Sequence, residues 1–414
     1  MSRRALLLFC LLYSPVVSVA QAPQYRFYGT LLVNASISDT LLFGQDVPLF
    51  ASPGGQVLLF PDGSTARADT ASDFILTVRQ STFGAQVSRG SVTGTVEADF
   101  FGTRTADGLQ PQGRVLNQPR LRLAHFQLEK GNVKLLAGQA PAIIAPSDPV
   151  SFSHVALPMA ATAGNLWARL PQVRVELKKE VGGVSALFQG GVLRPIFADP
   201  RLADLPPGGS AVDAQFSGFG ERGSQPFYQA RFSVSRAEAA IGVGAHYGRE
   251  RIGADRELDS WAMAIDYSLP IHSRLRLRGE NFIGSNLVPF QGGILQGIAV
   301  FQIPGSLPPP IFHKIGAAGG WAELTLKVTS DDRNILHIGA GTDDPRDRNL
   351  LPNSPRGKNT VGWASYFRKL NDDVTLATEW SNWQFRNILF VGPQNTGKAT
   401  GRGNVLNVAL AYRF

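Results

Sequence analysis

The chain has 414 residues, with 40 Lys and Arg against 32 Asp and Glu, and only 17% of it is charged, below the roughly 25% of a globular domain. After the first 20 residues it holds no cysteine, which excludes disulfides and thiolate metal centres, and no run of about 18 apolar residues, which excludes a transmembrane helix. Its 44 glycines and a mean hydropathy near zero suit a chain that alternates apolar and polar positions.

Met1-Ser2-Arg3-Arg4 is a basic start, Ala5 to Tyr13 is apolar, and Ser18-Val19-Ala20 supplies small residues. This is the pattern of a secretory signal peptide spanning 1–20, cleaved after Ala20 and carrying Cys10 away with it. The mature chain, 21–414, reads as one domain. Its balance is basic, 38 cations against 32 acids once Arg3 and Arg4 leave. An exported chain without basic clusters is no nucleic-acid binder.

Period-2 alternation then recurs in segments of about 9–14 residues. The expected strands are 25–36, 73–88, 91–101, 119–130, 132–140, 169–180, 183–193, 226–236, 239–251, 257–269, 273–286, 315–330, 333–343, 358–370, 373–387 and 402–414. The fold class is therefore all-β, a transmembrane antiparallel barrel of sixteen strands. Connections alternate between tight ones, such as Gly131-Asn132 and Gly182-Gly183, and long ones: 37–72, 102–118, 141–168, 194–225, 287–314, 344–357 and 388–401, with 252–256 the one short exception. Tight periplasmic turns, long external loops and both termini in the periplasm are the asymmetry of a bacterial outer-membrane barrel.

The faces separate cleanly. Trp261, Met263, Ile265, Tyr267 and Leu269 oppose Ala262, Ala264, Asp266 and Ser268. The apolar set should face lipid, where a central charge costs about 2–4 kcal/mol. His125 falls on a face that should be apolar; a register error, a bulge or a subunit contact would each explain it. The last strand places Leu406, Val408, Leu410, Tyr412 and Phe414 on one face. Such an ending resembles the signal that outer-membrane barrels present to their assembly machinery.

Segment 141–168 is third among the external loops, the place that in general porins of about sixteen strands folds inward and narrows the lumen; the resemblance to them implies the same here, and Asp148 is the segment's only acid. Arg79, Arg120, Arg122, Arg174, Arg231, Arg274, Arg276 and Arg278 fall on expected lumenal faces, so the wall should favour small anionic solutes. Glu97, Asp99, Glu176, Glu280 and Glu323 should face inward too and pair with part of this set. Asp343, Asp344 and Asp347 match no metal-loop spacing, and no cofactor or metal is expected.

Arg79-Gln80-Ser81-Thr82-Phe83-Gly84, Val96-Glu97-Ala98-Asp99-Phe100-Phe101-Gly102, Arg120-Leu121-Arg122-Leu123-Ala124-His125-Phe126, Leu136-Ala137-Gly138-Gln139 and Arg169-Leu170-Pro171-Gln172-Val173-Arg174 together resemble the DcaP-like outer-membrane porins over residues 74–175. The resemblance implies sixteen strands, a homotrimer, and a basic constriction for dicarboxylates in which Arg79, Arg120, Arg122, Arg169 and Arg174 take part. Some members carry a helical coiled coil before the barrel; here the first strand follows almost directly on Ala20. The leading expectation is a passive, non-enzymatic, anion-preferring porin in the bacterial outer membrane, in contact with lipid and lipopolysaccharide. The rivals are a receptor or adhesin barrel with ligand-binding loops and a barrel hydrolase.

Overall fold

A computed structural model describes residues 22–44, 46–102, 118–197, 219–253, 255–301, 311–352, 354–391 and 394–414. The signal peptide expected at 1–20 and much of the second and fourth external loops lie outside the described residues. Sixteen strands form the wall: β1 (Gln24–Ser38), β2 in two pieces (Asp73–Thr77 and Thr82–Arg89), β3 (Val92–Gly102), β4 (Gln118–Lys130), β5 (Val133–Pro141), β6 (Arg169–Val181), β7 (Val184–Leu193) and β8 (Phe227–Arg236). They continue as β9 (Ala239–Gly253), β10 (Arg256–His272), β11 (Leu275–Ser285), β12 (Gly316–Lys327), β13 (Asn334–Pro345), β14 (Arg356–Lys369), β15 (Val374–Val391) and β16 (Gln394–Arg413).

Each strand pairs antiparallel with the next, and β1 also pairs with β16, from Thr30 opposite Arg413 to Ser38 opposite Val405. The barrel is closed, so no edge strand is left to template association. Phe414 completes the seam: its carbonyl accepts from the Gly29 N–H at 3.1 Å and its N–H donates back at 3.2 Å. The tight turns carry the backbone that hairpins demand, with Gly182 and Gly183 at φ 58° and 75°. The alternation holds. Met263, Ile265, Leu406, Val408, Leu410 and Tyr412 lie exposed on the outer face, while Ala262, Ala264, Asn407 and Ala409 are buried inside. Among the described residues no helix is long and apolar enough to cross a membrane; the strands do so.

Four local expectations are corrected. The single strand expected at 73–88 is broken at 78–81, where the Ser81 hydroxyl takes over the Leu32 N–H at 3.0 Å and lets the wall turn Gln80 inward. The connection expected at 388–401 is instead a ladder continued to Val391 and resumed at Gln394, rising above the membrane. The turn expected at 270–272 is displaced: β10 runs through Pro270 to His272 with an irregularity between them, a position proline tolerates. Arg274 therefore leaves the strand for the periplasmic turn rather than the lumenal wall.

His125 is explained by a bulge. Glu97 pairs with Leu123 but Ala98 with Leu121, so Arg122 is an extra residue and the faces exchange beyond it. Gln139 caps the bulge, its amide donating to the Leu121 and Arg122 carbonyls at 2.9 and 3.3 Å. His125 consequently sits opposite Thr95 on the inner face.

Candidate site inside the barrel

The third external loop has no strand partner for its backbone, and buried N–H and C=O groups require one. The inner wall supplies it. Ile143 and Ile144 donate to Gln229 Oε1 on β8 (2.7 and 3.2 Å), and Arg278 on β11 donates to the Asp148 carbonyl (2.9 Å). Val150 donates to Glu323 on β12 (3.1 Å), then Phe152 and Ser153 donate to Glu379 Oε2 on β15 (3.0 and 2.7 Å). Gln80, in the break of β2, accepts from Val155 and Ala156 (2.7 and 2.9 Å), and Arg122 and Arg120 on β4 donate to the Val155 and Ala156 carbonyls (3.1 and 2.8 Å).

Read in order, these contacts carry the loop past β8, β11, β12, β15, β2 and β4. It circles the inner wall as a collar and returns to its base, where Ala142 N–H meets the Ala168 carbonyl at 2.9 Å. Phe152 stacks on Phe367 at 4.8 Å. Further loop residues pack with the first and sixth external loops and with the wall: Met159 clusters with Phe50 and Ile294 and with Trp363 of β14 and Trp383 of β15, and Leu166 with Phe290.

The basic residues divide into groups. Arg79, Arg120, Arg122 and Arg169 are brought together. Arg79 and Arg120 both lie over Phe101, at 4.5 and 5.3 Å. Arg120 forks onto Asp99 (3.0 and 2.6 Å), and Arg122 bridges Glu97 (2.6 Å) and Asp99 (3.0 Å). Arg79 pairs with Asp46 of the first external loop at 3.1 Å. Arg169 lies over Trp167 at 4.8 Å and within electrostatic range of Arg120, Arg122 and Asp148; it forms no ion pair among the described residues. Burial raises Asp148 above the usual carboxylate range, against the opposing hydrogen bond from Asn165, so the loop's single acid is the less able to offset this cluster.

The other candidates lie apart. Arg231 forks onto Asp266 at 2.8 and 2.7 Å with 9% and 8% of the two side chains exposed, a wall brace rather than a lumenal charge. Arg174 and Lys134 share Glu176 at 2.9 and 2.8 Å. Arg278 pairs with Glu323 at 3.0 Å yet keeps 26% of its side chain exposed. Arg276 pairs with Glu238 at the periplasmic end, and Arg274 lies in the neighbouring turn. Sequence reading missed Lys134 as a lumenal cation, and Gln80, Gln229 and Glu379 as collar anchors. The one available signal was a lone acid, Glu379, on the inward register of an otherwise apolar and hydroxyl-bearing strand.

His154 ties the collar to the first loop. Its Nε2 donates to the Pro48 carbonyl at 3.0 Å, leaving Nδ1 to accept from the Ser153 hydroxyl at 2.9 Å. Burial lowers its pKa to about 4 from 6.5. A group held neutral in the folded state contributes stability that is full above pH 6.5 and is lost as pH falls toward about 4. Acidification through that window should loosen the collar and change single-channel conductance. His154→Gln, which keeps the hydrogen bonds without a titrating group, should flatten that response, and an unaltered pH profile would remove His154 from it.

No protein-family model matches the chain, and no curated protein matches it. Among solved structures it is similar to the outer membrane channel DcaP of Acinetobacter baumannii, with 12% identity, a TM-score of 0.67, and 95% of this chain and 97% of that one covered. It is also similar to an anion-selective porin from Comamonas acidovorans (11%, TM-score 0.54, 95% and 100%) and to OmpT of Vibrio cholerae (10%, TM-score 0.51, 97% and 100%). The chain has the porin fold. The likeness runs the full length of the barrel, well beyond residues 74–175, where the sequence motifs lie. A closed sixteen-strand barrel with an apolar outer face belongs in the bacterial outer membrane.

Proposed function

We propose that the protein is a passive diffusion porin, a homotrimer, that admits small hydrophilic solutes and prefers anions such as dicarboxylates. The observation that carries this reading is the cluster of Arg79, Arg120, Arg122 and Arg169 beside the collar, where four guanidinium groups meet Asp46, Glu97 and Asp99, with Asp148 of the collar close by. A guanidinium presents a planar fork to a carboxylate, and positive charge in a low-dielectric wall concentrates anions. The anion selectivity named for the Comamonas porin is compatible with it.

Dense packing of the first, third and sixth loops inside the barrel favours the rival reading, a receptor barrel with a closed lumen. Reconstitution in planar bilayers under a salt gradient separates the two. The porin should conduct in groups of three steps with a reversal potential on the anion side. A cation-side potential would overturn the selectivity, and absence of conductance with cell-surface ligand binding would establish the receptor.

A further inference from the structure

The strand registers place a polar pocket on the outer face of the barrel at its external end. Asn359, Val361, Trp383 and Phe385 are buried inward, so the residues alternating with them, Lys358, Thr360, Gln384 and Arg386, point outward. Ascending from the membrane, the cross-strand rows run Ala364–Trp380–Leu406, then Gly362–Asn382–Asn404, then Thr360–Gln384–Arg402, then Lys358–Arg386–Thr400. The first row is the last of these four with large apolar side chains facing out, and Trp380 sits there as an interfacial aromatic. The two upper rows, one of them carrying two cations and the other a third, therefore lie at headgroup level in the outer leaflet.

Together with Asp69 these residues line a cavity of about 570 Å³. Lys358 is paired with Asp344 at 2.8 Å and Arg386 with Asp347 at 2.8 Å, while Asp69 is taken by Arg67. Arg402 is exposed and forms no ion pair among the described residues. An exposed, uncompensated cation, flanked by Thr360, Gln384 and Thr400, matches a phosphate carried on a hydroxyl-rich sugar.

We infer that this pocket binds the phosphorylated sugar headgroup of lipopolysaccharide in the outer leaflet, with Arg402 as the principal phosphate contact and Lys358 and Arg386 beside it. The site is outside the lumen and rests on the barrel's placement in the membrane, not on the proposed solute preference.

The test uses the full chain in nanodiscs containing either bisphosphorylated or dephosphorylated lipid A, with bound lipid counted by native mass spectrometry. The wild type should retain the phosphorylated lipid selectively. Arg402→Gln should bind it about ten-fold more weakly, the loss of one charge-assisted hydrogen bond, with partial recovery in Arg402→Lys. Heat-shift electrophoresis checks that each variant is folded; should Arg402→Gln not fold, Lys358→Gln serves in its place, with weaker retention again expected. Equal retention of the dephosphorylated lipid, undiminished retention by the folded variant, or equally tight occupancy by inorganic phosphate alone would overturn the assignment.

Discussion

Glu379→Ala should lower the unfolding free energy by about 2–6 kcal/mol, because it strands two buried N–H groups at about 1–3 kcal/mol each. Both belong to the collar: Phe152 and Ser153 donate to one carboxylate oxygen, while the other accepts from the Ser365 hydroxyl. Without this anchor the far side of the third loop loses its attachment to β15, leaving the Phe152–Phe367 stack, Arg413 over Phe152 and the Gln80 hydrogen bond to the Ser153 carbonyl to hold it. Single-channel conductance should therefore rise and become noisier. Glu379→Gln keeps an acceptor oxygen and should show a smaller effect in both measurements. Urea unfolding and bilayer recording on the same preparations decide the matter; unchanged stability with unchanged conductance would mean that the loop is held elsewhere.

Arg169→Gln isolates the contribution of charge to selectivity. Arg120 and Arg122 are poor probes, since removing either leaves Asp99, with none of its side chain exposed, short of a partner, and breaking a buried pair costs about 3–5 kcal/mol. Arg169 forms no ion pair among the described residues, so its neutralisation creates no orphan carboxylate. A unit charge about 4 Å from a passing ion is worth about 1 kcal/mol in water, or roughly a five-fold change in anion-to-cation permeability. The reversal potential should move toward the cation side by that ratio, and Arg169→Glu should move it further. A wild-type potential in Arg169→Gln would remove this residue from the pathway.

The wall was legible because its information is local. Met263 and Ile265 alternate with Ala262 and Ala264 whatever their neighbours, and Gly182-Gly183 adopts positive φ by its own chemistry. Strand number, closure and the outward face of Leu406, Val408, Leu410 and Tyr412 follow from such signals. The bulge at Arg122 was not legible, since it shows only when β3 and β4 are paired and Leu121 and Leu123 face consecutive residues of β3.

The fate of each arginine belongs to the same class. Arg231 and Arg174 look alike in sequence, each an inward cation between apolar neighbours. Arg231 is consumed by Asp266, thirty-five positions away, whereas Arg174 shares an acid with Lys134. The collar shows the division most plainly. Sequence identified 141–168 as a long, acid-poor loop, and that much is composition. Its circuit past β8, β11, β12, β15, β2 and β4 exists because unpaired backbone groups inside a closed barrel must find acceptors and donors on the wall. Only the tertiary structure brings Gln229, Glu323, Glu379 and Gln80 within their reach.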